Sequence, residues 1–117
     1  MKRDMELVRL ILQAIEGSED AGTKMMERSI EERGYHISLL VDAGLLIAKV
    51  HTDGDKPIGY FISRMTWAGH DFLDSMRDDT IWKKAKEHVI IPGASWTFDI
   101  LKEWAKHELK QRLSLPE

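Results

Sequence analysis

The 117-residue chain contains no cysteine. That excludes a disulfide framework, a thiolate metal site and a cysteine nucleophile, and it fits a reducing, cytoplasmic setting. No apolar run approaches the length of a membrane span. The opening Met1-Lys2-Arg3-Asp4-Met5-Glu6 is too charged for a signal peptide. Neither sign of charge dominates: 17 Lys and Arg stand against 20 Asp and Glu, for a net charge of −3. Non-specific nucleic-acid binding depends on Lys and Arg displacing counterions, so this balance argues against it. Specific binding would need the basic residues to cluster on one face. No Gly-rich loop precedes a Lys-Ser or Lys-Thr pair, and nothing matches His-Glu-x-x-His. Gly93-Ala94-Ser95-Trp96-Thr97 lacks the glycine flanks of a nucleophile elbow. The five His are scattered over different elements. The expectation is a chain that is not an enzyme and takes no cofactor. There is no internal repeat and no low-complexity segment.

What is present is a helical pattern interrupted by one β-rich region. Asp4 is a suitable N-cap for a first helix. Leu7, Leu10, Ile11, Ala14 and Ile15 follow the spacing of one buried face, with Val8 and Leu12 lying off it, and Gly17 is the expected stop. Thr23 is the expected cap of a short second helix through Met25, Met26 and Ile30. Gly34 precedes a third helix, His36 to Ala43, with Ile37, Leu40 and Ala43 inward and Gly44 as a left-handed C-cap. Two β-rich runs follow, Leu46 to His51 and Tyr60 to Met65, around the turn-rich Thr52-Asp53-Gly54-Asp55-Lys56-Pro57. Thr66 caps a fourth helix carrying Phe72, Leu73 and Met76. Asp78-Asp79-Thr80 starts a fifth with Ile81, Trp82, Ala85 and Val89. Pro92-Gly93 punctuates the chain, and Thr97 caps a last helix whose apolar side is Ile100, Leu101, Trp104, Ala105, Leu109 and Leu113. The four Trp are expected mainly in the core or an interface.

Helix, hairpin and helix in that order is how a winged helix continues after its recognition helix. The fold class is therefore mainly α with a small β-hairpin (α+β): a winged helix-turn-helix with additional C-terminal helices. It is read as one domain over residues 1–117, with a core over 1–79 and a helical extension over 80–117.

The stretch His36-Ile37-Ser38-Leu39-Leu40-Val41-Asp42-Ala43-Gly44-Leu45-Leu46 resembles the recognition-helix consensus of bacterial winged-helix regulators. Thr66-x-x-Gly69-x-x-Phe72-Leu73 is similar to a motif that follows the wing in many of them. More narrowly, the chain resembles a family of bacterial and phage proteins with a domain of unknown function. The carriers are Met1-Lys2-Arg3-Asp4-Met5-Glu6-Leu7-Val8-Arg9, Thr66-Trp67-Ala68-Gly69-His70-Asp71-Phe72-Leu73-Asp74 and Arg77-Asp78-Asp79-Thr80-Ile81-Trp82. The resemblance implies a winged-helix fold in a small cytosolic protein, often carried on prophages. It implies no activity.

The leading expectation is sequence-specific binding of double-stranded DNA in transcription control. A third helix entering the major groove would offer Arg33, Tyr35, His36 and Ser38 to base edges. Lys24, Arg28, Lys49 and Lys56 would hold phosphates. Glu31, Glu32 and Asp42 flank that helix and oppose this use. They support the alternative, a protein-interaction module that binds, for instance, a host protein, with Val41 as an exposed apolar contact. A homodimer through Leu101, Trp104 and Leu109 would present two recognition helices to a pseudo-palindromic site. His70, Asp74 and Asp78 recur at i, i+4 and i+8, but Arg77 beside them opposes a metal, and none is expected.

Overall fold

Asp4 opens the first helix as expected. Its carboxylate accepts from the Glu6 and Leu7 N–H groups at 3.0 and 3.4 Å, satisfying donors that no helical carbonyl can reach. The computed structural model describes residues 1–91 and 93–113. Its elements are α1 (Met5–Ile15), α2 (Glu19–Met26), α3 (Ile30–Asp42), β1 (Leu46–Asp53), β2 (Lys56–Met65), α4 (Trp67–Ser75), α5 (Asp79–His88) and α6 (Phe98–Leu113). The fold is mainly helical, with a single antiparallel hairpin among the described residues. The chain divides into two compact units, Met1–His70 and Asp71–Glu117. The division falls within α4, ahead of the expected boundary between residues 79 and 80.

In the first unit α1 packs against both α2 and α3. Its buried stripe is Leu7, Val8, Ile11 and Leu12, rotated from the expected face, and Leu10, Ala14 and Ile15 are only half-buried. A helix with neighbours on two sides buries a wider arc than one apolar stripe suggests. Met25, Ile37, Leu40, Leu45, Leu46 and Met65 complete this core. Each such side chain contributes about 1.5–3 kcal/mol on full burial.

The start of α2 corrects the sequence reading. Ser18, not Thr23, is its N-cap, accepting from the Ala21 N–H at 3.1 Å. Thr23 lies inside the helix and donates to the Glu19 carbonyl at 3.0 Å. Helix α3 likewise starts earlier than expected. Ser29 accepts from the Glu32 N–H at 3.1 Å, and Glu32 reaches back to the Ser29 hydroxyl. This Ser-x-x-Glu pairing overrides the helix-breaking tendency of Gly34. Gly34 is used for space: a Cβ there would lie 2.5 Å from the Pro57 Cβ, so α3 and the hairpin meet with no room for a side chain. Ala43 is exposed rather than inward, and Val41 is half-buried.

The hairpin ladder is longer than the two β-rich runs suggested, because Asp53 pairs with Lys56 across Gly54-Asp55. Gly54 has φ 62 and, among the described residues, no non-glycine residue has positive φ, the pattern of a type II′ turn, whose twist matches the strands. Thr66 then joins three elements. Its backbone N–H donates to the Leu45 carbonyl at 3.0 Å. Its hydroxyl donates to the Gly44 carbonyl at 2.6 Å and accepts from the Gly69 N–H at 3.0 Å, capping α4.

In the second unit Phe72, Leu73, Met76, Ile81, Trp82, Ala85, Leu101 and Ala105 are buried. Phe98 meets Phe72 edge-on at 4.9 Å and Trp96 at 5.6 Å. Asp78 caps α5 through the Ile81 N–H at 3.0 Å and pairs with Arg112 of α6 at 2.8 Å. The Ile81 N–H and then Arg112 hold the Asp78 carboxyl below its ordinary range. Thr97 caps α6 through the Ile100 N–H at 3.1 Å, but Ile100 itself is exposed rather than on the apolar side. Of the expected Pro92-Gly93 break, Pro92 lies outside the described residues. No helix among the described residues is long and apolar enough to cross a membrane.

Candidate interaction surface

Three of the eight residues assigned to DNA hold the first unit together instead. His36 is 1% exposed. Its Nε2 accepts from the Asp4 backbone N–H at 2.8 Å, and its Nδ1 lies 2.7 Å from the Glu32 carbonyl. The Asp4 N–H can only donate, so Nε2 carries the lone pair and Nδ1 the proton, which it donates to Glu32. A buried ring with both nitrogens occupied cannot reach a base edge, and His36 is removed from the expected set. An apolar neighbourhood does not exclude a His when both ring nitrogens find partners.

Arg28 pairs with Asp4 and, at 2.8 Å, with Glu32. Burial of Asp4 works against its charged form. The hydrogen bond and charge of Arg28 and the Leu7 and Glu6 N–H groups outweigh that, so its carboxyl lies below its usual range. Arg28 is held above its ordinary value, first by the Asp4 hydrogen bond. With one carboxylate on each side, it is a poor phosphate ligand. Arg33 donates to the Arg28 carbonyl at 3.1 Å through Nε and to the Tyr60 hydroxyl at 2.8 Å through Nη1. Its guanidinium sits 5.7 Å from the Tyr60 ring centroid, a contact worth about 0.5–1 kcal/mol at an exposed site. It ties α3 to β2 and is not poised to read guanine. The chain thus joins Asp4, Arg28, Glu32, Arg33, His36 and Tyr60 into one network. Asp4 as a cap, Glu32 as the partner of a Ser29 cap and Tyr60 within a β-rich run had sequence signals for structural roles, whereas Arg28, Arg33 and His36 had none.

The other five residues do lie at the surface. Lys24 pairs with Asp20 at 3.1 Å on α2, and Lys56 of the hairpin tip pairs with Glu31 of α3 at 3.2 Å. Exposed pairs of this kind stabilise by about 0–1 kcal/mol, yet each sets a carboxylate beside the cation. Tyr35 is half-buried, its ring edge-on to His36 at 5.4 Å. Together with Met1, Glu31, Asp55, Lys56 and Pro57 it lines a shallow depression of about 450 Å³. Ser38 is half-exposed and Lys49 exposed.

Residues 31, 35, 38 and 42 are spaced by four, three and four, so they share one face of α3. That face is Glu31, Tyr35, Ser38 and Asp42, and it is acidic. Glu19 and Asp20 of α2 and Glu27 at its C-cap are also exposed. The hairpin has a different character. On the side away from its buried residues it presents Ile47, Lys49 and His51 of β1 and Phe61 and Arg64 of β2, all exposed.

Residues 2–95 match the family described as hypothetical protein DUF2513. The chain belongs to the DUF2513 family. The matched span contains the Asp4–Arg28–Glu32–His36 network and the whole hairpin, and ends before α6. An uncharacterised protein of Haemophilus influenzae is similar over 119 residues at 29% identity, covering 97% of this chain and 100% of its own. No solved structure matches.

Placement also bears on the residues proposed for a dimer and for the His70, Asp74 and Asp78 row. Leu101 is fully buried, so it cannot serve a dimer surface, whereas Trp104 and Leu109 of α6 remain half-exposed. His70 faces Glu16 at 3.8 Å, Asp74 pairs with Arg77, and Asp78 caps α5. No cluster able to hold a metal occurs among the described residues. Of the Trp expected in the core, Trp82 is buried but Trp67 is 87% exposed.

Proposed function

We propose that this DUF2513 protein is a non-enzymatic, cytoplasmic protein-interaction module built on a winged-helix scaffold. The observation that carries the reading is the acidic outward face of α3, Glu31, Tyr35, Ser38 and Asp42. In a winged helix this face would enter the major groove. Here it would bring two carboxylates towards phosphates, while Arg28 and Arg33 remain committed inside the chain. Without counterion release from free Lys and Arg, DNA affinity loses its main source.

Charge reversal tests this. The wild-type chain should bind a duplex no tighter than the non-specific range of about 10⁻⁴–10⁻⁶ M. The Glu31→Lys/Asp42→Lys variant should gain duplex affinity and a steeper salt dependence in fluorescence anisotropy. Wild-type protein that binds more tightly than the variant would overturn the reading.

Sequence-specific DNA binding in bacterial or prophage transcription control is the second reading. The helix–helix–hairpin order, the exposed Lys49 and the half-exposed Ser38 favour it. A pseudo-palindromic site would then accompany a dimer, with Trp104 and Leu109 available on α6.

A further inference from the structure

The hairpin offers a binding edge that the acidic face of α3 does not explain. In β2, residues 57–63 read Pro-Ile-Gly-Tyr-Phe-Ile-Ser, seven positions without a charge. Among the described residues the sheet has two strands, and no backbone hydrogen bond from another element reaches residues 56–64. An uncharged strand with an unpaired ladder is a ready template for another strand. The ends of this stretch are guarded. Pro57 lacks an N–H near the tip, and a register shift occurs near the base, where Ile47 faces Arg64 but Ala48 faces Ile62. Ile58 to Ile62 lie between them, with Ile58 58% and Phe61 65% exposed.

The register also defines the chemistry beside that edge. Ile47 faces Arg64, Lys49 faces Phe61 and His51 faces Gly59. Across residues 47–51 of β1 and 59–64 of β2 this face carries two permanent cations, a His and two apolar side chains, and no carboxylate. We infer that the free edge of β2 accepts an extended strand from a partner protein, with apolar and acidic residues alternating along one of its faces, two positions apart. The partner's backbone pairs with Ile58 to Ile62; on that one face an apolar side chain covers Phe61 and a carboxylate meets Arg64, with the long Lys49 side chain reaching across from β1. A single-stranded nucleic acid fits less well. It would find one exposed aromatic on this face where successive bases need several, and it would leave the peptide ladder unpaired. The inference rests on the interaction-module reading but not on the acidic face of α3.

The test uses the full chain labelled with ¹⁵N and titrated with a capped synthetic peptide that repeats Val-Thr-Glu-Thr, so that Val and Glu share one face. A peptide that repeats Val-Thr-Lys-Thr and a short thymidine oligonucleotide are run in parallel. The expected result is shifts centred on residues 57–64, with slowed amide exchange there, from the Glu peptide alone. A Lys49→Glu/Arg64→Glu variant, altered only at exposed positions, should bind the Glu peptide about tenfold more weakly and gain the Lys peptide. Absence of shifts at 57–64, binding indifferent to the charge swap, or response to the oligonucleotide in place of the peptide each overturns the inference. Those results leave the module reading standing if Glu31→Lys/Asp42→Lys behaves as expected in the duplex assay.

Discussion

Replacing His36 with Ala should destabilise the protein strongly while leaving its surface unchanged. Two costs can be worked from the structure. The imidazole removes roughly 60 Å³ of buried side chain, and at about 24 cal/mol per Å³ of unrelaxed cavity that is about 1.5 kcal/mol. The Asp4 N–H then loses its acceptor at 2.8 Å. A buried donor left unmatched costs about 1–3 kcal/mol. The sum is about 2.5–4.5 kcal/mol, a large share of the roughly 5–15 kcal/mol that typically holds a domain folded. Urea unfolding followed by far-UV circular dichroism measures it. The midpoint should fall with little change in slope. Ser38→Ala, two residues along on the outward face, should shift stability by less than about 0.5 kcal/mol. A His36→Ala loss as small as that of Ser38→Ala would refute the assignment of His36 to the core and return it to the surface.

The remaining predictions concern close contacts and charge. Gly69→Ala should destabilise more than Gly34→Ala, because its Cβ would lie 2.2 Å from the Leu45 carbonyl oxygen and 2.5 Å from the Met65 Cγ; comparable unfolding midpoints would contradict this. Asp4→Asn keeps a capping side chain but loses the charge opposite Arg28. The folded-state Asp4 carboxyl titrates below its unfolded value of about 3.9. Its stabilising contribution is therefore full above that pH and vanishes as pH falls through the lower folded value. The wild-type advantage over Asp4→Asn should accordingly be present at neutral pH and close in strong acid, read as the difference in urea midpoints. A gap independent of pH would remove the ion pair from the account.

Much of the fold was legible because local rules and packing agree. Asp4, Gly44, Thr66, Asp78 and Thr97 act at the element ends that their chemistry favours. The early start of α3 was also written in Ser29 and Glu32, but a glycine in the fifth helical position masked it. Only the closeness of Pro57 explains why that glycine is tolerated. The candidate site was far less legible. His36 and Arg28 are polar residues near a helix that resembles a recognition helix, so composition places them outside. Their partner Asp4 lies 32 and 24 residues away in the chain, and no periodicity reveals such a meeting. The acidity of α3 was visible in Glu31 and Asp42, yet its weight depended on which cations remained free. The basic and apolar side of the hairpin needed the strand register, which two irregularities alter.

Whether α3 serves as a DNA reader decides between the two proposed functions. Selection of duplexes from a random pool, with purified folded protein at near-physiological salt, addresses it most directly. For an interaction module, no sequence motif should be enriched. Enrichment of a single motif would contradict that reading and establish the chain as a sequence-specific DNA-binding protein.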